Sequence, residues 1–408
     1  MGTLGVTPSV SRGSCAVLTE ENMLESIAKW ALNAGKAIGF ATNSRVTSGS
    51  AAALYAHSAN KNWESDLDVL NSGCGTQVQD IAHQLINSEV GKQFKVILGG
   101  GRKNFLPSNV NDTNGKPGMR ADNVNLIDQW KRSKNDSRVK FITTKEELAN
   151  LNTTNIDYLF GLFDYDKHPY HLDVVNKSLD TIPQLISMTH YSLEMLTKEE
   201  NGFLLFVENG LINEAHKENK ISKALTEVQQ YSNALNMAKM MVKPSETLVI
   251  SLADVGSTLS IAGNAIRDTT NNVIQEAGVG TDGKPVLSLS YATGPSFDWF
   301  YRHDALSSSA RYNPMHKTDA SHLPERDELV VSAAVPMAEG VNGGEDVSVY
   351  ATGPWSYLFS GNYEQNFIAH AIGYAACLED FCNGSGTLVA STFLMITIIL
   401  NAFSKYFY

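Results

Sequence analysis

Short apolar runs alternate with amphipathic stretches along most of the chain. "FKVILGGGRKNF" (94–105), "IDYLFGLF" (156–163), "GFLLFVENG" (202–210) and "SETLVISLADVGST" (245–258) each hold a continuous apolar centre bounded by polar or glycine residues. Runs of that kind predict strands buried on both faces. "EENMLESIAKWALNAGKAI" (20–38) places apolar residues at helical spacing, with acids first and a lysine late, and predicts a helix over the whole stretch. "GFATNSRVTSG" predicts a strand and a loop, and "AAALYAHSA" the start of a helix. "PVLSLSYATGP" and "DVSVYATGP" predict two later strands with a shared ending. The alternation predicts an α/β fold with a large central, mainly parallel sheet and helices on both faces. Residues 295–340 break the pattern. They are rich in Pro, Ser and His and predict a small inserted subdomain. No repeat array is present.

Composition narrows this picture. A length of 408 residues with 43% apolar content fits one large domain with a sizeable core. The net charge of −11 argues against a nucleic-acid partner. The three glycines at 99–101 lack the Gly-x-x-x-x-Gly-Lys spacing of a phosphate cradle and predict a tight turn.

The two ends carry different signals. "TLVASTFLMITIILNAF" (387–403) is apolar and close to bilayer length, and "NGSG" precedes it. Small residues before a terminal apolar tail predict a GPI-anchor signal, cleaved near Asn383, Gly384 or Ser385. A single spanning helix is the alternative. Residues 1–382 are then the globular part and 383–408 the anchoring tail. "MGTLGVTPSVSRGSC" has neither the basic nor the apolar region of an export signal, so the natural N-terminus is expected upstream. Sequons at Asn111, Asn135, Asn152, Asn176 and Asn383 point toward the secretory pathway. The four cysteines, Cys15, Cys74, Cys377 and Cys382, permit two disulfides.

The chemistry concentrates behind predicted strand ends, where ligands gather in such sheets. "FVENGLINEAHKENK" (206–220) leaves its strand at Glu208 and brings Asn213, Glu214, His216 and Lys217 close behind. Positions 213 and 217 share a helix face. An acid and a histidine there would grip zinc, whereas an amide and a lysine do not. Asp254 and "NGGED" stand at other strand ends.

These motifs, taken in order, are similar to those of the animal alkaline phosphatases of the membrane-bound, GPI-anchored type. "SRVTSGSA", "YAHSANKNWESD", "VILGGGRK", "FVENGLINEAHK", "LADV", "VNGGEDV" and "QNFIAHAIGYAACLED" match from residue 2 almost to the tail. The resemblance implies a phosphomonoester hydrolase, normally a homodimer, built on two zinc ions, one magnesium ion and a serine nucleophile. It places Ser50 and Glu208 at magnesium-ligand positions and Asp254 at a zinc-ligand position. In isolation these read as a helix cap, a helix-start acid and a turn residue. The neighbouring zinc histidine is replaced by Val255. The other zinc site has Asn213, Lys217 and Asn342 where the family uses an aspartate and two histidines. Lys61 replaces the phosphate-clamping arginine, keeping the charge and losing the fork. Ser48 stands at a position often held by an outer histidine, His216 matches no ligand, and Asp164 matches one acid of a calcium site. The nucleophile and the metal-bridging aspartate align upstream of Met1, so no catalytic residue is carried over, and the opening strands of the sheet are expected to be missing with them. The resemblance pairs Cys15 with Cys74 and Cys377 with Cys382.

The resemblance therefore implies an intact exported scaffold with an impaired or inactive site, a pseudoenzyme that binds an unknown ligand at the cell surface. Magnesium is retained in this reading and zinc is in question. The competing readings are an active phosphomonoester hydrolase and a gene-model fragment without independent function.

Overall fold

The structure is a computed structural model. It describes residues 2–134, 137–179, 181–264, 276–279, 281, 285–297, 330–378 and 381. Strands β1 (Ala37–Arg45), β2 (Val96–Gly100), β3 (Val139–Ile142), β4 (Tyr158–Leu162) and β5 (Phe203–Glu208) form one sheet in the order β3-β4-β2-β1-β5. Every pairing in it is parallel. The helices are α1 (Ile27–Asn33), α2 (Gly49–Ala52), α3 (Asp66–Asn71), α4 (Ile81–Asn87), α5 (Leu126–Ser133), α6 (Lys145–Ala149), α7 (His171–Asn176), α8 (Leu185–Leu196), α9 (Leu211–Lys217), α10 (Ile221–Met241) and α11 (Phe367–Ala376).

Strand side chains alternate between two cores. Ile38, Phe40, Ile97, Phe160 and Leu162 pack with α1, α4 and α5 on one face. Ala37, Ala41, Val96, Leu98 and Leu159 pack with α8 and Ala234 of α10 on the other. A strand buried on both faces has no polar side to show, which is why these runs read as continuously apolar.

Shorter pairings follow. Strand β6 (Val249–Leu252) leads into β7 (Gly256–Ser257) and β8 (Leu259–Ile261), then β9 (Glu276–Val279), β10 (Pro285–Leu287), β11 (Leu289–Gly294), β12 (Ala333–Pro336), β13 (Asn342–Gly343) and β14 (Val349–Thr352). Strand β6 pairs with β14, β7 with β13, β8 with β11 and β9 with β10, all antiparallel, while β11 and β12 are parallel. Of the expected insertion at 295–340, residues 298–329 lie outside the described residues.

Two helix expectations need correction. Within 20–38 only Ile27–Asn33 is α-helical. Ser26 accepts a hydrogen bond from the Lys29 N–H and starts the helix there, while Glu20–Asn22 form a separate 3-10 turn. Gly35, at φ 72°, ends it, and Ala37 already belongs to β1. "AAALYAHSA" does not open a long helix. Helix α2 ends at Ala52, and the Tyr55 hydroxyl then donates to the Val46 carbonyl, turning the chain back on β1.

Cys15 and Cys74 form a disulfide with a Cα separation of 5.2 Å, backed by Ala59, Trp63 and Val69. Cys377 is also disulfide-bonded, and Cys382 lies outside the described residues. Asn111, Asn152 and Asn176 are exposed, whereas Asn135, Asn383, Gly384 and Ser385 fall outside. Among the described residues no helix is long and apolar enough to cross a membrane, and the apolar tail is not among them.

Candidate metal and phosphate site

The chain enters the sheet at β1, builds to one side, and returns to the other side of β1 with β5. The C-terminal ends of β1 and β5 therefore form a switch point, where open parallel sheets leave a crevice. Thr42 of β1 is opposite Glu208 of β5 in the register. Its hydroxyl donates to the Glu208 carboxylate at 2.7 Å, and the Ser50 hydroxyl of α2 bonds the same group. Burial raises the Glu208 pKa. The two hydroxyls oppose that rise, and the charge of nearby Asp254 adds to it. Ser50 and Glu208 are thus bonded to each other at the switch point, and Asp254 is near enough for its charge to act on Glu208. Ser50 lies inside α2 with its hydroxyl on Glu208, so it is not the cap. Ser48 holds the cap position, and its buried hydroxyl has no hydrogen-bond partner.

A charged clasp that sequence reasoning passed over holds the end of β1. Arg45 donates to both oxygens of Glu64, through Nε at 3.0 and 2.8 Å and Nη2 at 2.8 Å, and through Nη1 to Asp166 at 3.1 Å. Asn104 donates to Thr47 and Glu64 at 2.9 and 3.1 Å. Arg45 and Glu64 lie inside motifs already quoted, "SRV" and "NWESD", but their partnership joins positions 19 apart and has no local signature. Of the glycine run expected to form a turn, Gly99 and Gly100 still belong to β2, and only Gly101 makes the turn. Gly101 adopts φ 92°, and a Cβ at Gly100 would lie 2.1 Å from the Asp166 carbonyl.

The second half of the site surrounds α9. Asn213 and Lys217 lie one turn apart on this helix. The Gly340 N–H donates to the Lys217 carbonyl at 2.8 Å, which brings the approach to β13 against the helix end. The register Asn342↔Ser257 and Gly343↔Gly256 places Asn342 beside the residues that follow Val255. Buried Asn219, at φ 57°, fixes this arrangement. Its amide donates to the His216 and Thr293 carbonyls, and its Oδ1 accepts from Ser296. Glu345 leans over the β7–β13 pair. A Cβ at Gly256 or Gly343 would lie 2.1 or 1.8 Å from its carboxylate. His216 points elsewhere, sharing a 2.7 Å hydrogen bond with buried Tyr291.

Lys61 is exposed, and a Cβ at Gly49 would lie 3.8 Å from its stem, so it borders the oxygen-rich half. Asp164 accepts a 3.4 Å hydrogen bond from the Asp166 N–H within its own loop. Among the described residues no group of three or more His, Cys, Asp and Glu side chains is placed to hold a metal ion. The donors at the switch point are hydroxyl and carboxylate oxygens, which suit a hard cation such as magnesium. The donors around α9 are amides and an ammonium beside a valine, which do not suit zinc.

Comparisons with known proteins point to one family. A family profile described as Alkaline phosphatase matches residues 1–378. The chain is 36% identical over 410 residues to the membrane-bound alkaline phosphatase of Bombyx mori, covering 98% of this chain and 72% of that protein. It is 34% identical over 412 residues to the tissue-nonspecific isozyme of Gallus gallus, covering 98% and 75%. A solved TAB5 alkaline phosphatase variant with magnesium bound matches in fold at a TM-score of 0.57 and 17% identity, over 93% of this chain and 80% of that one. The cold-active enzyme of a psychrophilic Shewanella matches at 0.53 and 22%, over 91% and 88%. The parallel sheet, the ordered motifs and this likeness over nearly the whole length together make the chain a member of the alkaline phosphatase family.

Proposed function

We propose that this chain keeps the scaffold of a phosphomonoester hydrolase while its zinc chemistry is impaired or lost, and that it acts at the cell surface as a binding protein. The observation that carries this reading is the convergence of Lys217 and Asn342 around α9, through the Gly340–Lys217 and β7–β13 contacts. A protonated lysine repels a dication, and amide oxygens are weak zinc ligands beside carboxylate and imidazole. Val255 adds no donor.

Ser50 and Glu208, with Thr42 behind the carboxylate, would hold magnesium, which neutralises charge on a bound phosphate when present. Lys61 offers a phosphate a point charge in place of a bidentate fork. This chain's own residues therefore bind and orient an anionic ligand, such as a phosphate monoester, more readily than they activate a leaving group. The globular part is read as residues 1–382, with a crown-like insertion at 295–340, and 383–408 as the anchoring tail. A GPI anchor and a homodimer complete the proposal. The apolar run 387–403 and the membrane-bound silkworm relative support the anchor.

The deciding experiment is zinc per chain by elemental analysis, with hydrolysis of an aryl phosphate at alkaline pH measured in parallel. Absence of retained zinc and of turnover is the expected result. Stoichiometric zinc with turnover would overturn the proposal and establish an active phosphatase with an altered ligand set.

A further inference from the structure

Three exposed aromatic side chains form one cluster on the elements nearest the C-terminal tail. Trp355 stands between β14 and the 3-10 turn Ser356–Phe359, Tyr357 lies in that turn, and Tyr374 lies in α11. The Trp355 ring centroid is 5.8 Å from that of Tyr357 and 5.0 Å from that of Tyr374, the latter pair edge to face. They nevertheless remain 40%, 66% and 43% exposed. Trp355 also holds a left-handed backbone, φ 63° and ψ 9°, which a bulky side chain rarely adopts. Nearby, Tyr363 stacks on Phe367 at 4.2 Å and is itself exposed.

The charge pattern of this region is unusual for the chain. From Val347 to Leu378 the sequence carries one formal charge, Glu364, in a protein that is 18% charged overall. A tryptophan and tyrosine cluster on a segment without lysine or arginine does not suit nucleic acid or an acidic peptide. It does suit the boundary between acyl chains and headgroups, where amphipathic rings collect with their polar ends toward water. Its position supplies the second argument. The proposed anchor site at Asn383 to Ser385 follows Leu378 within a few residues, a reach of at most roughly 25 Å.

We propose that the Trp355–Tyr357–Tyr374 face seats against the lipid–water interface, so that the tether and the protein surface hold the domain in one orientation on the membrane. This rests on the anchor reading above, and the test separates the two. The full chain is floated with phosphatidylcholine vesicles whose acyl chains carry bromine, which quenches nearby tryptophan. The expected result is co-flotation with partial quenching of the tryptophan emission. That quenching is lost in Trp355→Phe and reduced in Tyr357→Ser, while flotation persists in both. Flotation with no quenching attributable to Trp355 would overturn the proposed face and leave the anchor standing. Failure to float would overturn both. A face buried between two copies would appear as unquenched Trp355 in a dimer that Tyr357→Ser dissociates, and that too would overturn the lipid assignment.

Discussion

The half of the site at the ends of β1 and β5 and the half around α9 both sit on hydrogen-bonded frameworks, yet they hold different chemistry. The first presents hydroxyl and carboxylate oxygens that bond one another across Thr42, Ser50 and Glu208, beside the Arg45–Glu64–Asp166 clasp. The second is just as well braced, through Asn219, Gly340 and the β7–β13 register, but displays Asn213, Lys217, Val255 and Asn342. Backbone order and ligand identity are therefore separable. Backbone pairing and the Asn219 side chain position the second half, so Asn213, Lys217, Val255 and Asn342 can change without moving the frame.

The strongest way to break the contrast is to restore donors. If the proposal holds, the combination Asn213→Asp, Lys217→His, Val255→His and Asn342→His is expected to raise zinc affinity to a micromolar Kd or better. That is about 8 kcal/mol of binding free energy, read by zinc titration against a competing chelator. No gain in affinity would mean that the frame as well as the side chains has drifted.

The pH response of the first half comes next. His168 is buried, its N–H backbone group donates to the Asn43 carbonyl of β1 at 3.0 Å, and burial lowers its pKa to about 4. An unfolded histidine titrates near 6.5. The unfolded chain takes up the proton first as pH falls, so this contribution is complete above about 6.5 and is lost progressively toward about 4. The limit is about 3 kcal/mol. Urea denaturation across that window measures it, and His168→Gln should flatten this part of the pH profile.

Arg45→Met sharpens the comparison further. It leaves Glu64, whose side chain is only 13% exposed, without its guanidinium partner. A loss of about 2–3 kcal/mol in urea stability is expected. The smallest effect tests magnesium. Free magnesium at about ten times its Kd should stabilise the fold by about 1.4 kcal/mol, and Glu208→Gln should abolish the rise in Tm. A rise that survives Glu208→Gln would place the ion elsewhere.

The sheet was legible because strands buried on both faces leave unbroken apolar runs, as in "KVIL" before Gly99. "FLLFV" before Glu208 has the same look, but β5 stands at the sheet edge and is only half-buried along its length. The bond between Ser50 and Glu208 had no local signature, since each alone reads as a cap or a helix-start acid. The helix boundaries were not legible either. Periodicity over 20–38 carried no sign that the Ser26 hydroxyl would start the helix later, or that Ala37 and Ile38 would join β1. The Arg45–Glu64–Asn104 network was also hidden, because it depends on which loops meet above the sheet. Thr42 escaped notice for a similar reason. Its hydroxyl matters only because β5 brings Glu208 beside it from 166 residues away.

That separation also bears on the time course of assembly. Strand β1 cannot gain its β5 neighbour until the ribosome has made roughly 170 further residues, about ten to thirty seconds of synthesis at ordinary rates. During that interval the Ile38–Phe40 segment has β2 on one side and an open edge on the other, a template for pairing with the wrong strand. The long-range closure of β5 onto β1 is thus the event that creates the switch-point crevice, and its large sequence separation predicts a slow step of folding.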